Sequence, residues 1–397
     1  MSNSTAPHPA TVALFEQGFR PFFLLAGLWA VFAMALWVMG LYGAGIQGGP
    51  LPLARWHGHE MLMGFVGAAM GGFLLTAIPN WTKGPVFRGV ALMLVAALFV
   101  AARLVLLPGS PVPPGLAAAI GLLPLPALLL LVLPALIKAG TLRIFGPPAL
   151  ILTFWTGDLL MLGDAAGWWQ DTFAAGELLA LDIALVLVGI IGGRIIPVFT
   201  RNALRHTSRP VEPTPLPGVD TAGIAALLAV VIVDLIRPGG TMAGVVAAIA
   251  AGLALLRLSR WHGMATLRQP ILWVLHFAYL MVPIALAVKA AHLLGGANWA
   301  ENWFHLQAIG AVALMILAVM PRATLGHTGR PLMATPGMIA AWLLIPAAAV
   351  VRAFGPVVMS GTATYAAAAA FWILAFGLFL GAHGPMLLWA RPDGEPG

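Results

Sequence analysis

The sequence predicts an all-α polytopic membrane protein of about twelve transmembrane helices. Hydrophobic residues make up 61% of the 397 positions and charged residues only 8%, whereas a soluble domain carries about 25% charged residues. Apolar runs recur from end to end, each long enough to cross a hydrocarbon core of about 30 Å as a helix. The alternating segments of about ten residues that are typical of transmembrane β-barrels do not occur.

Each predicted span is bounded by a short turn, and we expect a single transmembrane domain over residues 1–397. The spans are expected at 22–45, 56–79, 87–107, 113–137, 145–163, 173–199, 221–236, 241–258, 270–294, 302–320, 335–351 and 365–389. The longest polar stretch, 201–220, contains four prolines. We predict that it is a cytoplasmic loop between two six-helix halves.

The distribution of Lys and Arg predicts the orientation. If both termini lie on one side, that side receives fifteen of the 20 basic residues and the other side receives five. Because cytoplasmic loops are enriched in Lys and Arg, both termini are predicted to be cytoplasmic. We therefore attribute the net charge of +7 to the excess of Lys and Arg in cytoplasmic loops, and no nucleic-acid partner is expected.

The absence of cysteine restricts the cofactor chemistry. Thiolate haem ligation, cysteine-ligated iron–sulfur clusters and disulfides are all excluded. Any haem would be bound non-covalently, and any metal would be held by His, Met or carboxylate. A Gly-rich loop followed by Lys and Ser/Thr is also missing, so ATP-driven transport by this chain alone is not expected.

The motif WHGHEM at 56–61 opens the second span with two imidazoles and a carboxylate. A charged side chain in the membrane costs about 2.5–3.5 kcal/mol and usually faces a cavity or a ligand. In a regular helix His57 and Glu60 share a face, whereas His59 points elsewhere. Either the helix is irregular here or there are two sites.

Three further residues are expected at the same depth as His57, His59 and Glu60, namely Asp158, Asp182 and His305. Helical bundles build haem and metal sites from histidines of different helices, with carboxylates orienting the imidazoles. We therefore predict an outer site with His57, His59 and His305 as ligands and with Glu60, Asp158 and Asp182 as proton carriers. The alternative is that the histidines at the helix ends are simply solvated.

A second candidate set lies on the predicted inner side. Two glycines and Pro197 near the end of the sixth span are expected to break or kink the helix. Arg194, Arg201 and Asn202 could then donate to an anionic group such as a haem propionate. Anchoring by the positive-inside rule is the simpler interpretation of Arg201.

Three more histidines belong to this inner set. His276 and His383 are internal to apolar spans, and His327 lies in a predicted cytoplasmic turn. All three are candidate metal or haem ligands, although a buried histidine can also be a hydrogen-bonded core residue. Tyr279, one turn beyond His276, is the expected partner of that histidine.

Five motifs spread in order along the chain resemble the NnrS family of bacterial membrane proteins. They are GFRPFF at 18–23, WHGHEM at 56–61, FLLTAIPNWT at 73–82, GRIIPVFTRNAL at 193–204 and LGHTGRPL at 325–332. Gly58, where relatives often have Ala, is a small departure. The positions carried over from the family pattern are His57, His59, Glu60, Arg194, Arg201, Asn202, His276, His305, His327 and Arg330.

This resemblance implies a twelve-helix protein of the bacterial inner membrane that contains haem, here expected to be haem b, and copper. It also implies a role in nitric oxide metabolism, denitrification and resistance to nitrosative stress. The leading hypothesis is a nitric oxide reductase-like oxidoreductase that uses an unidentified electron donor. The alternatives are a transporter of metal or iron–nitrosyl species, a non-catalytic nitric oxide-binding protein, and a haem-free scaffold subunit.

Overall fold

The computed structural model describes residues 13–44, 48–140, 146–205, 210, 212–214, 216–359 and 361–394. Within these ranges the chain forms helices and no strands. Twelve long helices, α1 to α12, are Phe19–Leu41, Leu53–Thr82, Val90–Val105, Pro114–Ala139, Gly146–Ala165, Phe173–Leu204, Pro217–Ile236, Thr241–Ser259, Pro270–Gly295, Asn298–His327, Pro336–Val358 and Gly361–Leu388. They correspond one to one with the predicted spans.

Ten of these helices are long and apolar enough to cross a membrane. The remaining two are α3, which is apolar but only 16 residues long, and α5, which has 20 residues. The prediction of an all-α polytopic membrane protein is therefore confirmed. The cytoplasmic location of the termini stays a prediction.

The helices group into two compact units. Unit 1 comprises residues 1–180, 320–332 and 376–397, and unit 2 comprises residues 181–319 and 333–375. These units do not coincide with two six-helix halves divided at 201–220, because the change from one unit to the other falls within α6. Positions 206–209, 211 and 215 of that loop lie outside the described residues.

Of the break or kink expected near the end of the sixth span, the break is excluded, because α6 continues over 32 residues to Leu204 with Pro197 inside it. A proline ring ordinarily clashes with the carbonyl group four residues earlier. That position is Gly193, whose lack of a side chain leaves the backbone free to adjust. Residues 201–204, predicted to begin the loop 201–220, are therefore helical.

Two helices contain a π-helical segment directly after a histidine. In α2 the segment Glu60–Val66 follows His59, and in α10 the segment Leu306–Ala313 follows His305. A π-helical turn widens the helix and redirects the side chains beyond it, and such turns occur frequently at functional sites. The spacing of WHGHEM did not decide whether the helix is irregular there. It is irregular, and the irregular segment begins at Glu60.

Candidate functional site

A histidine that bridges two carboxylates lies inside unit 1. His59 Nδ1 is 3.0 Å from Glu60 Oε1, and His59 Nε2 is 2.8 Å from Asp158 Oδ1. His59 and Glu60 are fully buried, and Asp158 is 2% exposed. We call these three residues the His59 bridge. Both ring nitrogens are occupied, so His59 would bind a metal only by giving up one of these bonds.

Arg103 of α3 balances the charge of the His59 bridge. Its Nη1 donates to both carboxylate oxygens of Glu60, at 3.1 and 3.0 Å. The guanidinium also lies over the ring of Phe99, 5.3 Å from its centroid. A buried carboxylate is tolerated when it is paired and hydrogen-bonded, and Arg103 supplies both conditions for Glu60.

The His59 bridge has the donors and acceptors to hold one shared proton. Ionised carboxylates only accept hydrogen bonds, so an imidazole between two of them must donate from both ring nitrogens and carries a positive charge. With Arg103 this gives two positive and two negative charges. The same charge balance holds if the proton moves onto Glu60 or Asp158, so the three groups can pass one proton among themselves.

His57 does not share a site with Glu60, as the spacing of a regular helix would favour. Its imidazole stacks on Trp37 of α1, with centroids 4.6 Å apart and planes inclined by 16°. His57 is half-buried, and Glu60 hydrogen-bonds to His59 instead. The physical reason is that the π-helical segment starts at Glu60, so the side-chain directions of a regular helix no longer apply there.

A close helix crossing positions Asp158. At Gly157 of α5 an added Cβ would lie 2.7 Å from the carbonyl oxygen of Gly176 in α6, and at Gly176 it would lie 2.5 Å from that of Gly157. Small residues allow two membrane helices to approach this closely. The crossing places Asp158, the next residue along α5, where it reaches His59.

The side chain of Glu177 of α6 packs directly against Gly58. A Cβ at position 58 would collide with Glu177 Oε1, so an alanine there would push this carboxyl group aside. Glu177 is half-buried. The glycine at position 58 therefore leaves room for a further carboxyl group beside the helix that carries the His59 bridge.

Gly157→Ala is expected to destabilise unit 1 by about 1–3 kcal/mol, the usual cost of overpacking, because the obstacle is backbone rather than a flexible side chain. Gly115→Ala is the matched control, since nothing lies within 4 Å of a Cβ there. Unfolding of both purified variants in detergent measures the difference. Equal stability of the two variants would contradict the proposed close crossing.

A second cluster in unit 1 combines arginines and histidines near the end of the last helix. Arg20 is fully buried, and its Nη1 donates to the carbonyl oxygens of Met386, Leu387 and Trp389 at 3.1, 3.1 and 2.9 Å. A cation at a helix C-terminus is favourable because the last carbonyl groups have no partner within the helix. We call Arg20, His327, Arg330, His383 and Arg391 the arginine–histidine cluster.

The two histidines of this cluster are held mainly by ring contacts. His383 is 2% exposed and stacks on Phe379, with centroids 5.3 Å apart and planes at 12°. The imidazole of His383 also lies within hydrogen-bonding reach of the backbone of Phe379. His327 contacts the ring of Phe19 at 5.5 Å, and its carbonyl oxygen accepts a hydrogen bond from Arg391.

His276 lies in unit 2 and is enclosed. Its Nε2 is 2.9 Å from Thr200 Oγ1, and a Cβ at Gly263 would lie 2.8 Å from its Nδ1. Tyr279, the expected partner, instead accepts a hydrogen bond from Arg257 at 2.8 Å. His276 therefore has the contacts of a hydrogen-bonded core residue.

The predicted donors at the end of α6 are exposed. Arg194, Arg201 and Asn202 all have exposed side chains, whereas His276 is buried. Exposed arginines near the end of a span fit the positive-inside interpretation. Their role towards a propionate stays a prediction.

The remaining predicted residues of the outer site, Asp182 and His305, belong to unit 2. His305 is half-buried at the start of the π-helical segment of α10. Asp182 is 2% exposed and accepts a hydrogen bond from Gln307 Nε2 at 2.8 Å. Asp234 and Lys289 of the same unit form a buried ion pair.

Sequence reasoning missed four residues of these networks, namely Arg103, Asp234, Lys289 and Gln307. Arg103 and Lys289 counted only as topology signals, although both lie within apolar helices and are 3% and 1% exposed. Arg103, Asp234 and Lys289 could have been identified from the sequence, because each is an ionisable residue inside an apolar helix. Gln307 gave no such signal.

The described residues contain no group of three or more His, Asp or Glu side chains arranged to hold a metal ion. A haem needs less, because it takes only one or two axial imidazoles from the protein. The arginine–histidine cluster offers His327 and His383 on different helices, together with cationic groups that suit propionates. Its residues therefore fit a haem, whereas the His59 bridge has no ring nitrogen left for one.

The chain has no match among curated proteins. The family model described as NnrS protein matches residues 13–391, nearly the whole chain. The match includes the His59 bridge and the arginine–histidine cluster. The chain therefore belongs to the NnrS family and is a membrane protein related to nitric oxide.

Proposed function

We propose that this protein binds nitric oxide at a non-covalent haem b and reduces it in the bacterial inner membrane, which protects the cell from nitrosative stress. Family membership supports the link to nitric oxide. The observation that carries the catalytic part is the His59 bridge. A buried, charge-balanced set of groups with an exchangeable proton is costly in a membrane span and is by default a functional site.

The haem is assigned to the arginine–histidine cluster of unit 1. One of His327 and His383 would hold the iron, and Arg20, Arg330 and Arg391 supply positive charge around these two histidines. Arg330 and Arg391 lie within electrostatic range of His383 and His327, respectively. A haem bound there would supply the metal at which nitric oxide is bound and reduced.

The His59 bridge would supply protons. Reduction of nitric oxide to nitrous oxide consumes protons and electrons, and the electrons must come from a separate donor. Glu60, Asp158 and His59 hold a proton in a region from which bulk water is excluded, and Arg103 keeps the group neutral overall. Nitric oxide itself is a small neutral molecule that dissolves in lipid, so it needs no polar channel.

Copper is not assigned to residues in this proposal. The described residues provide no three-ligand group for it, and both nitrogens of His59 are occupied by carboxylates. Copper therefore stays an expectation from the family resemblance. None of the roles given to the His59 bridge depends on it.

The haem assignment predicts how the absorption spectrum responds to single replacements. Purified wild-type protein should show a Soret band, and at least one of His383→Ala and His327→Ala should lose most of it because the imidazole that holds the iron is removed. His262→Asn is the control, since His262 is exposed with φ of 55°, a conformation that Asn tolerates. Full haem content in both alanine variants would refute the assignment.

Two other outcomes separate the alternative functions. A haem protein that binds nitric oxide without consuming it would be a binding or sensing protein. A colourless purified protein that still protects cells would favour a transporter of metal or iron–nitrosyl species, and the redox proposal would then be wrong. Wild-type protein purified without added haem distinguishes these cases.

A further inference from the structure

Unit 2 contains buried charged groups that the proposed function does not use. Asp182 of α6, Asp234 of α7 and Lys289 of α9 are 2%, 4% and 1% exposed. Gln307 of α10 is fully buried, and its Nε2 donates to Asp182 Oδ1 at 2.8 Å. All four residues lie in helices long and apolar enough to span a membrane. We call them the Asp182 cluster.

The charges of the Asp182 cluster do not balance when both carboxyl groups are ionised. Lys289 Nζ forms an ion pair with Asp234 Oδ2 and also lies 4.4 Å from the centroid of the Trp303 ring. One ammonium group against two carboxylates leaves a net negative charge. Because an uncompensated buried charge is very costly, the cluster requires one further positive charge.

Two buried acceptors of the cluster also lack a donor. Asp182 Oδ2 and Gln307 Oε1 have no hydrogen-bond partner among the described residues. The carboxyl group of Asp182 lies within hydrogen-bonding reach of that of Asp234. Two carboxyl groups that share a site do not both ionise readily. A single proton between them would supply the missing positive charge and the missing donor for Asp182.

We propose that Asp182 and Asp234 form a proton-binding site within the membrane-spanning part of unit 2, in which they share one exchangeable proton and Lys289 is the fixed counter-charge. Gln307 holds Asp182 in place through its amide group. A metal cation is disfavoured because Lys289 already contacts Asp234, whereas a proton needs no coordination shell. The site shares no residue with the His59 bridge and does not depend on a haem.

The neighbouring helices of unit 2 carry other charged groups with partners of their own. Arg257 of α8 bonds Asp220 of α7 at 2.8 Å, and Arg352 of α11 bonds Asn302 at 3.4 Å. His292 of α9 lies 3.2 Å from the carbonyl oxygen of Ala297. His305 and Glu301 lie at the start of α10 and are half-buried and exposed, respectively.

Infrared spectroscopy of the full-length protein in detergent tests the shared proton. The wild type should show the C=O band of a protonated carboxyl group, shifted in D₂O, at pH values where exposed carboxyl groups are ionised. Asp182→Asn and Asp234→Asn should each remove this band completely. Either variant leaves one carboxylate for Lys289, so the charges balance and the helices should still form.

Glu301→Gln is the control, because it removes an exposed carboxyl group of the same unit and should leave the band unchanged. Gln307→Leu keeps both carboxyl groups but removes the hydrogen bond to Asp182, so it should shift the band without abolishing it. A band that is absent from the wild type, or unchanged in both Asn variants, would overturn the proposal. Loss of the band on adding Na⁺ at constant pH and ionic strength would also overturn it, by showing a cation site.

Discussion

Arg103→Met is expected to destabilise unit 1 by about 3–5 kcal/mol, because removing one partner of a buried ion pair leaves an uncompensated charge. Glu60 is fully buried, and Arg103 is the cation that contacts both of its carboxylate oxygens. Methionine fills much of the same apolar volume, so packing against Phe99 changes little. Unfolding of the purified protein in detergent, followed by circular dichroism, measures the loss.

Two companion variants show whether charge is the cause. Arg103→Met combined with Glu60→Gln should recover most of the stability, since the buried carboxylate is removed together with its partner. Arg55→Met is the matched control on α2, because Arg55 is 47% exposed in its pair with Asp164 and should cost about 0–1 kcal/mol. An Arg103→Met protein as stable as the Arg55→Met protein would show that Glu60 needs no buried counter-ion.

His59→Gln is expected to lower the rate of nitric oxide reduction to a small fraction of the wild-type rate, because it interrupts the proposed proton supply. Glutamine can still hydrogen-bond to Glu60 and Asp158, but it cannot carry an exchangeable proton between them. Because the haem is assigned elsewhere in unit 1, its absorption and its spectral response to nitric oxide should be retained. Steady-state consumption of nitric oxide by the reduced protein measures the rate.

A purely structural role of His59 would give a different pattern. It would lower haem content and rate together, whereas loss of a proton carrier lowers the rate at constant haem content. His292→Gln serves as the control, because His292 lies in unit 2, where its Nδ1 is 3.2 Å from the carbonyl oxygen of Ala297, and should keep the wild-type rate. Unchanged turnover in His59→Gln would exclude the His59 bridge as the proton source.

The helices were predictable because membrane length and apolar composition determine them almost alone. All twelve predicted spans have a counterpart, including α6, although its end was placed five residues early on account of Pro197. A proline within a helix removes one backbone hydrogen bond, and it breaks the helix only when the neighbouring residues cannot accommodate that loss. The grouping of helices into two units depends on packing between distant segments, and the order of hydrophobic runs carries no information about it.

The candidate site was predictable in part. Glu60, His59 and Asp158 stood out as ionisable residues in apolar spans, and the structure brings these three together. The hydrogen bonds of His59 to Glu60 and Asp158 were not predictable, because they depend on the π-helical segment at Glu60–Val66. No residue pattern in the sequence indicates such a segment. Arg103 and Lys289 were overlooked because Arg and Lys near the end of a span usually mark topology, whereas here both neutralise buried carboxylates.

Exposure of the reduced, purified wild-type protein to nitric oxide, recorded with an electrode and an absorption spectrum together, tests the central proposal most directly. The proposal predicts a Soret band that shifts when nitric oxide binds, followed by consumption of nitric oxide and formation of nitrous oxide. A protein that contains no haem, or a haem protein that leaves nitric oxide unconsumed in the presence of excess reductant, would contradict it.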